Sequence, residues 1–232
     1  LCGALEFAEK ISKSGTQPII GTQINFKYGD TTGMLPLYAL NEVGYKRIIE
    51  LSSLSFLNND ENSEPHLDFN ELLNHDDGVA LFSGTVNGLF GRLFDKGKTK
   101  EIFELYTKLH SIHQNNFYIE IQRHGDENEE SFEKFNLEKS LEIKIPLIAT
   151  NEVYYLSSDM HEAHDALICI KNKTYINEKN RIKLSNQHYF KSNSEMNKLF
   201  SDLPEALENN YNFPFRCNYR PLFSKPILPN IS

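Results

Sequence analysis

Two pairs of histidines three residues apart are the first candidates for chemistry in this sequence. His161 and His164 lie on one predicted helix beside Asp165, and His110 and His113 have the same spacing on another. Side chains three residues apart lie on the same face of a helix, so each pair has a spacing that can hold a metal ion. Neither pair forms the His-Glu-x-x-His motif of metalloproteases, and we therefore interpret both pairs as structural.

The motifs of phosphate loops and of serine hydrolases are absent from the sequence. The glycine-rich segment from Gly84 to Gly91 is not followed by Gly-Lys-Ser/Thr, the pattern that binds nucleotide phosphates. No serine stands in a Gly-x-Ser-x-Gly context. The acidic run from Glu127 to Glu130 is typical of the solvated first turn of a helix, where the helix dipole favours negative charge.

Short apolar strands alternate with helices, and these elements must position any site. Strands are predicted at residues 18–26, 34–40, 78–82, 117–121 and 145–150. Strands that are apolar on both faces indicate a mostly parallel sheet covered by helices, which predicts an α/β fold. In such folds the chemistry lies at the carboxyl ends of strands. Those ends are predicted at residues 21–25, 40–41, 83–85, 122–125 and 150–154.

Composition is that of a water-soluble globular protein. The 232 residues are 39% hydrophobic, and 32 acidic against 24 basic side chains give a net charge of −8. A mean hydropathy of −0.49 argues against a transmembrane helix, and the net charge argues against a surface that binds duplex DNA over its whole area. Cys2, Cys169 and Cys217 are widely spaced and form no disulfide framework, which indicates the cytoplasm.

Several segments spread along the chain carry a family resemblance. The clearest are FYIEIQRHG at 117–125, PLIATNEVYYL at 146–156 and EAHDALICI at 162–170. Others are GALEF at 3–7, NEVGY at 41–45, FSDLPEALEN at 200–209, RCN at 216–218 and KPILP at 225–229. In this order they resemble the PHP domain of the bacterial DNA polymerase III alpha subunit, a DNA-directed DNA polymerase (a nucleotidyltransferase), over nearly the whole chain.

The resemblance implies a distorted, TIM-like βα barrel that precedes the polymerase palm. Residues 1–170 are then a PHP-type barrel that lacks its first strands, 171–225 are a loop and mostly helical extension, and 226–232 begin the linker to an absent palm. Because the chain starts at Leu1 without a methionine and ends at Ser232, we expect a fragment. A barrel without its first strands has open edges, so we expect the isolated chain to aggregate.

The metal ligands of the family carry over only in part. Complete members bind zinc or manganese, which activate water for attack on phosphoesters. The family positions of a glutamate, a histidine, a cysteine and a further histidine fall on Gln23, Met34, Thr85 and Tyr154. Two ligand positions remain, His124 and Glu152, and two protein ligands do not make a multinuclear site. The resemblance therefore implies a degenerate metal site, no catalytic residues and no metal cofactor in this chain. The magnesium site of polymerisation lies in the absent core.

Three functions follow from the resemblance. The first is a scaffold in DNA replication that supports the rest of the alpha subunit, docks the proofreading exonuclease subunit, meets DNA only indirectly and contacts no membrane. The second is an active metal-dependent phosphoesterase or 3′–5′ proofreading exonuclease. The third is a non-functional remnant of a split gene.

Overall fold

The computed structural model describes residues 3–59, 63–74 and 78–224. The strands are β1 Gly21–Tyr28, β2 Thr31–Ala39, β3 Leu67–Asp68, β4 Val79–Phe82, β5 Phe117–Ile121 and β6 Leu147–Ala149. The helices are α1 Ala4–Lys13, α2 Glu42–Leu57, α3 Leu89–Asp95, α4 Thr99–His113, α5 Glu129–Ile143, α6 His161–Asn172, α7 Asn193–Leu199 and α8 Pro204–Asn212. The predicted α/β class is confirmed.

The six strands form one sheet in the order β3-β1-β2-β4-β5-β6. Strand β2 is antiparallel to both of its neighbours, and every other pair of neighbouring strands is parallel. Five strands therefore run in one direction and β2 opposes them. Within the described residues, β3 and β6 are the edges and the sheet is not closed, which agrees with an incomplete, PHP-type barrel.

One predicted strand end, residues 21–25, was wrong, and another, residues 40–41, lies at the opposite end of the sheet from the rest, because β1 and β2 form a hairpin. Gly29 and Asp30 alone separate the two strands, and so short a connection allows only an antiparallel neighbour. Gly29 has φ of 58°, which a glycine adopts readily at such a turn. Residues 40–41 follow the reversed strand and therefore lie at the opposite end of the sheet. Residues 21–25 form the start of β1 and not its carboxyl end.

Both faces of the sheet are covered. In β4, Val79 and Leu81 belong to the main core beneath the helices, whereas Ala80 and Phe82 belong to a smaller cluster on the other face. The ring of Phe213, from the segment after α8, packs against Phe82 with 5.1 Å between the ring centroids. Apolar residues on both faces of a short strand, the basis of the prediction, thus correspond to two packed layers.

Helix α8 covers the edge of the sheet at β6. Its side chain Asn209 donates a hydrogen bond from Nδ2 to the carbonyl oxygen of Leu147 at 2.7 Å, and Asn210 donates in the same way to Ala149. Pro204 begins the helix, and a 3₁₀ turn that contains Pro214 follows it. The side chains of α8 therefore occupy acceptors that another strand would otherwise use.

The segment between α6 and α7 has little regular structure. A short hairpin is predicted within residues 171–189, but the described chain there forms one isolated bridge, between Tyr155 and Tyr189. Polar residues in this segment bond instead to the ends of other elements, as described below. Helix α7 then begins with a capping box made by Ser192 and Glu195. The predicted extended tail and linker, residues 225–232, lie outside the described residues.

Candidate metal-binding site

The parallel register of β5 and β6 brings the residues that follow them together. Ile121 lies opposite Ala149, so the chain segments beyond both strands leave the sheet side by side. His124 and Asn151 are three and two residues further on, and His124 Nε2 lies 3.1 Å from Asn151 Oδ1. One predicted site residue, His124, is therefore held at the carboxyl end of the sheet, where the α/β fold predicts chemistry.

Glu129, the first residue of α5, fixes the turn after β5. Its carboxylate accepts hydrogen bonds from the backbone N–H of His124 at 2.8 Å and of Gly125 at 2.7 Å. Gly125 has φ of 76°, a left-handed conformation that side chains with a Cβ adopt at a cost. Glu129 Oε1 also lies 3.5 Å from His124 Nδ1. The acidic run that the sequence assigns to a helix start thus also holds the loop that carries His124.

His188, from the irregular segment before α7, lies directly on His124. The two imidazole rings are stacked, with centroids 4.0 Å apart and planes 2° from parallel. His124 is 2% and His188 1% exposed, so both rings are buried. His188 Nδ1 lies 3.1 Å from the carbonyl oxygen of Glu152, and the His188 carbonyl accepts a hydrogen bond from the N–H of Tyr154.

Asp126 completes a group of three possible ligands with these histidines. One ligand atom from each of the three residues lies within 4.8 Å of the other two. Asp126 Oδ2 is 3.8 Å from His188 Nε2, and the interaction with this ring lowers the pKa of the Asp126 carboxyl below its ordinary value. His188 Nε2 is buried and has no hydrogen-bond partner among the described residues.

Glu152, the other predicted remnant ligand, does not belong to this group. Its carbonyl oxygen orients His188, while its carboxylate lies beside Tyr154. Burial, and then the negative charge of Glu152, raise the pKa of the Tyr154 hydroxyl. Glu152 therefore acts on the site through its backbone.

The family's multinuclear site does not fit the residues present. Gln23 is exposed on β1 and Met34 is exposed on β2, whereas Thr85 follows β4 and accepts a hydrogen bond from the backbone of Asn87. These positions, with Tyr154, offer an amide, a thioether, a hydroxyl and a phenol. Such donors are poor ligands for several zinc or manganese ions.

Three of the four paired histidines, His113, His161 and His164, make structural contacts. His161 Nε2 lies 3.0 Å from the carbonyl oxygen of Leu184, and His113 Nε2 lies 2.6 Å from that of Leu72. His164 stacks on Tyr154 with 5.3 Å between the ring centroids. The interpretation of these histidines as structural residues agrees with these contacts.

Two residues of the site, Asp126 and His188, are missing from the predictions made from the sequence. Asp126 is two residues after His124 at a predicted strand end, and a His-x-Asp spacing there was a usable signal. His188 lies in a polar segment distant in sequence, and no local pattern connects it with His124.

An open acidic groove of about 750 Å³ adjoins the site. Its lining includes Asp126, Glu129, Glu130, Glu133 and Asp202. The one arginine in this lining, Arg123, is paired with Glu133 and Asp202. The groove therefore presents negative charge, which attracts cations and repels phosphates.

Below the site, Glu120 places a buried carboxyl inside the sheet. Glu120 is 4% exposed and accepts hydrogen bonds from Thr150 and from Gln122 Nε2. Burial raises the pKa of this carboxyl to about 7, although the two hydrogen bonds act in the opposite direction. Near neutral pH Glu120 is therefore poised between its protonated and ionised forms.

Comparison with known proteins gives one consistent result. The PHP domain family matches residues 1–124. The chain is 36% identical to the DNA polymerase III subunit alpha of Caulobacter vibrioides and 37% identical to that of Rickettsia conorii. The subunit of Vibrio cholerae is 32% identical. These matches cover 99%, 100% and 99% of the chain but 21%, 20% and 20% of the relatives, so the chain spans about a fifth of their length.

Across the part of the chain that the structure describes, the helices are too short or too polar to span a bilayer.

Proposed function

The chain belongs to the PHP domain family, and on that premise we propose that it is the PHP region of a DNA polymerase III alpha subunit. In this role it serves DNA replication in the cytoplasm as a scaffold, without a multinuclear metal centre. The observation that carries the proposal is the similarity to alpha subunits over almost the entire chain. The poor donors at four family ligand positions favour a scaffold over a catalyst.

An exposed apolar surface supports a docking role. Leu167 and Ile170 on α6 are 62% and 74% exposed, and Tyr175 and Ile176 in the following segment are also exposed. Apolar side chains grouped at a surface are typical of protein interaction sites. We assign this surface, named the α6 surface, to contact with the rest of the alpha subunit or with the proofreading exonuclease subunit. The net charge of −8 agrees with only indirect contact with DNA.

Co-purification tests the scaffold. The chain is expressed with the remaining alpha subunit and with the exonuclease subunit of the same organism, and complexes are separated by size. We expect a stable complex that Leu167→Glu or Ile170→Glu weakens at least roughly tenfold, since a buried charge costs more than 1.4 kcal/mol. Leu141→Glu on α5, which replaces a leucine that is 83% exposed, is the matched control. Absence of a complex with both partners contradicts the proposal.

A nuclease assay tests the catalytic alternative. The chain is incubated with zinc or manganese and with DNA that has a free 3′ end, and released nucleotides are measured. We expect no release above the metal-only background. Metal-dependent release that His124→Ala abolishes would establish the phosphoesterase or proofreading alternative instead. Failure to detect the polypeptide in growing cells would favour the split-gene remnant.

A further inference from the structure

We propose that His124, Asp126 and His188 form a mononuclear zinc site that ties the segment before α7 to the end of β5. The inference goes beyond the scaffold function, because Asp126 and His188 lie at none of the family ligand positions named above. The site joins His188 to His124 and Asp126, which precede it by 64 and 62 residues in sequence. It uses none of the family positions whose ligands are replaced in this chain.

The hydrogen bonds around His124 occupy Nε2, whereas Nδ1 makes no hydrogen bond within the described part of the chain and lies 3.5 Å from Glu129 Oε1. Asn151 donates from Nδ2 to the carbonyl oxygen of Tyr189 at 2.8 Å, which fixes the orientation of its amide. Its Oδ1 accepts from Lys191 Nζ at 3.1 Å and faces His124 Nε2 at 3.1 Å. His124 Nε2 therefore carries the hydrogen, and the lone pair of the neutral ring is on Nδ1.

The surroundings of His188 favour the other tautomer, with the hydrogen on Nδ1, which leaves Nε2 to bind a metal. Its Nδ1 faces the carbonyl oxygen of Glu152, a group that only accepts hydrogen bonds, so Nδ1 carries the hydrogen. In the neutral ring the lone pair is then on Nε2, a buried atom that makes no hydrogen bond among the described residues and lies 3.8 Å from Asp126 Oδ2. Histidines that bind metals commonly donate the other N–H to a carbonyl or amide oxygen in this way.

Asp126 supplies the anionic ligand, and the groove supplies access. Its Oδ2 lies 3.8 Å from His188 Nε2, and one possible ligand atom from each of the three residues lies within 4.8 Å of the other two. Two imidazoles and one carboxylate suit zinc, and water from the groove can take the fourth position. The acidic lining of the groove raises the local concentration of cations.

Zinc binding requires one histidine ring to turn. The rings are 2° from parallel, and a ligand nitrogen binds zinc along the plane of its ring at about 2.0–2.1 Å. A single ion cannot lie in both planes while His124 and His188 are stacked. Binding therefore separates the stack, which changes the magnetic environment of the ring protons and gives the proposal a readout independent of affinity.

The same geometry without metal is an ion pair between a protonated His188 and Asp126. In this alternative Nε2 carries a hydrogen and has no lone pair for a metal. It predicts no change in the stacking of the two rings when zinc is added. The two arrangements are separated by metal titration.

The test uses the full chain after treatment with a chelator. Zinc is titrated by calorimetry, cobalt(II) is followed by its visible absorption, and the histidine ring protons are followed by NMR. We expect one ion per chain and shifted signals of His124 and His188. His188→Asn and Asp126→Asn should each weaken zinc binding roughly 100-fold or more, and Asn151→Ala about tenfold, as for a residue that orients a ligand.

His110→Asn on α4 is the matched control and should leave zinc binding unchanged. Circular dichroism establishes that each variant is folded, and the NMR experiment on the unaltered chain gives a result even if a variant does not fold. Absence of zinc binding, binding that the His188 and Asp126 substitutions leave intact, or unshifted ring protons would each overturn the site. Nucleotide release in the nuclease assay would instead contradict the scaffold proposal, so the two failures are distinguishable.

Discussion

The carboxyl of Glu120 makes the stability of this protein depend on pH. Its pKa in the folded chain is about 7, against an ordinary value of 4.5, so the folded state holds its proton more tightly than the unfolded state. The resulting stabilisation is fully present below pH 4.5 and is lost as the pH rises through 7. The residue is buried, so the effect is not screened by solvent.

Glu120→Gln should remove this pH dependence, because the amide stays neutral at every pH. We expect the variant to be more stable than the original chain above pH 7, by up to about 3 kcal/mol, and equally stable near pH 4. Urea unfolding at pH 4, 6 and 8 measures the difference. Glu104→Gln on the exposed side of α4 is the control, and an advantage of Glu120→Gln that does not grow with pH would contradict the prediction.

At the scale of single residues, the sequence predicts part of the site. His124 is found through its family motif and its position at a strand end, and it lies in the group of possible ligands. His188 is not found, because its contact with His124 depends on the path of an irregular segment that has no periodicity. Glu152 is predicted as a ligand, but the structure uses its carbonyl oxygen, a backbone role that side-chain chemistry does not reveal.

Among the secondary-structure elements, Arg123 joins β5 to two helices and to the turn between α7 and α8. Its guanidinium makes two hydrogen bonds with Glu133, at 3.0 and 2.6 Å, and two with Asp202, at 2.7 and 2.8 Å. It also lies 4.9 Å from the centroid of the Phe200 ring. These two carboxylates raise the pKa of the guanidinium, and Arg123 lowers that of Asp202.

Arg123→Lys should therefore destabilise the chain even though the charge is kept. An ammonium cannot bond both carboxylates in parallel pairs, and it stacks less well on an aromatic ring. We expect a loss of about 1–2 kcal/mol, mostly from the partly buried Glu133 pair, because the Asp202 side chain is largely exposed. Thermal unfolding measures it. Arg220→Lys is the control, and an equal effect of both substitutions would refute the argument.

A second ion pair anchors the segment between α6 and α7. Arg181 donates to both carboxylate oxygens of Asp165 at 2.5 and 2.7 Å, and this contact lowers the pKa of the Asp165 carboxyl. Asp165→Asn removes the charge and should free the segment. We expect faster cleavage by trypsin after Lys179 and Lys183, detected by mass spectrometry, with Asp159→Asn as the control. Unchanged cleavage at these lysines would show that other contacts hold the segment.

The elements themselves are largely predictable from the sequence, but the direction of one strand is not. The apolar runs that become β1 and β2 have the composition of parallel strands buried on both faces. Their antiparallel pairing depends on the two-residue connection at Gly29 and Asp30, which the strand composition does not reveal. Pro204 and Pro214, by contrast, mark the limits of α8 correctly because proline acts locally.

For the whole molecule, the structure weakens the argument that open sheet edges cause aggregation. The sequence predicts open edges, whereas Asn209 and Asn210 bond to the carbonyls of β6, and β3 at the other edge has only two residues. With the β6 edge covered, uncontrolled strand pairing at that edge is disfavoured. Whether the isolated chain aggregates stays a prediction for experiment.

We now expect the isolated chain to unfold in one cooperative thermal transition. The double variant Asn209→Ala and Asn210→Ala should expose the β6 carbonyls and aggregate at a lower temperature, because unsatisfied backbone acceptors pair with other chains. Light scattering during heating measures this. Asn193→Ala with Asn186→Ala is a control of equal composition, and aggregation of the unaltered chain at low temperature would support the original expectation.

The cover that α8 places over β6 also limits how partners can recognise this chain. Many complexes form when a partner adds a strand to an exposed sheet edge and gains backbone hydrogen bonds that any sequence can make. Here the β6 edge is occupied by asparagine amides. Recognition at the β6 edge must therefore rely on side chains, and it can be changed or abolished by single substitutions during evolution.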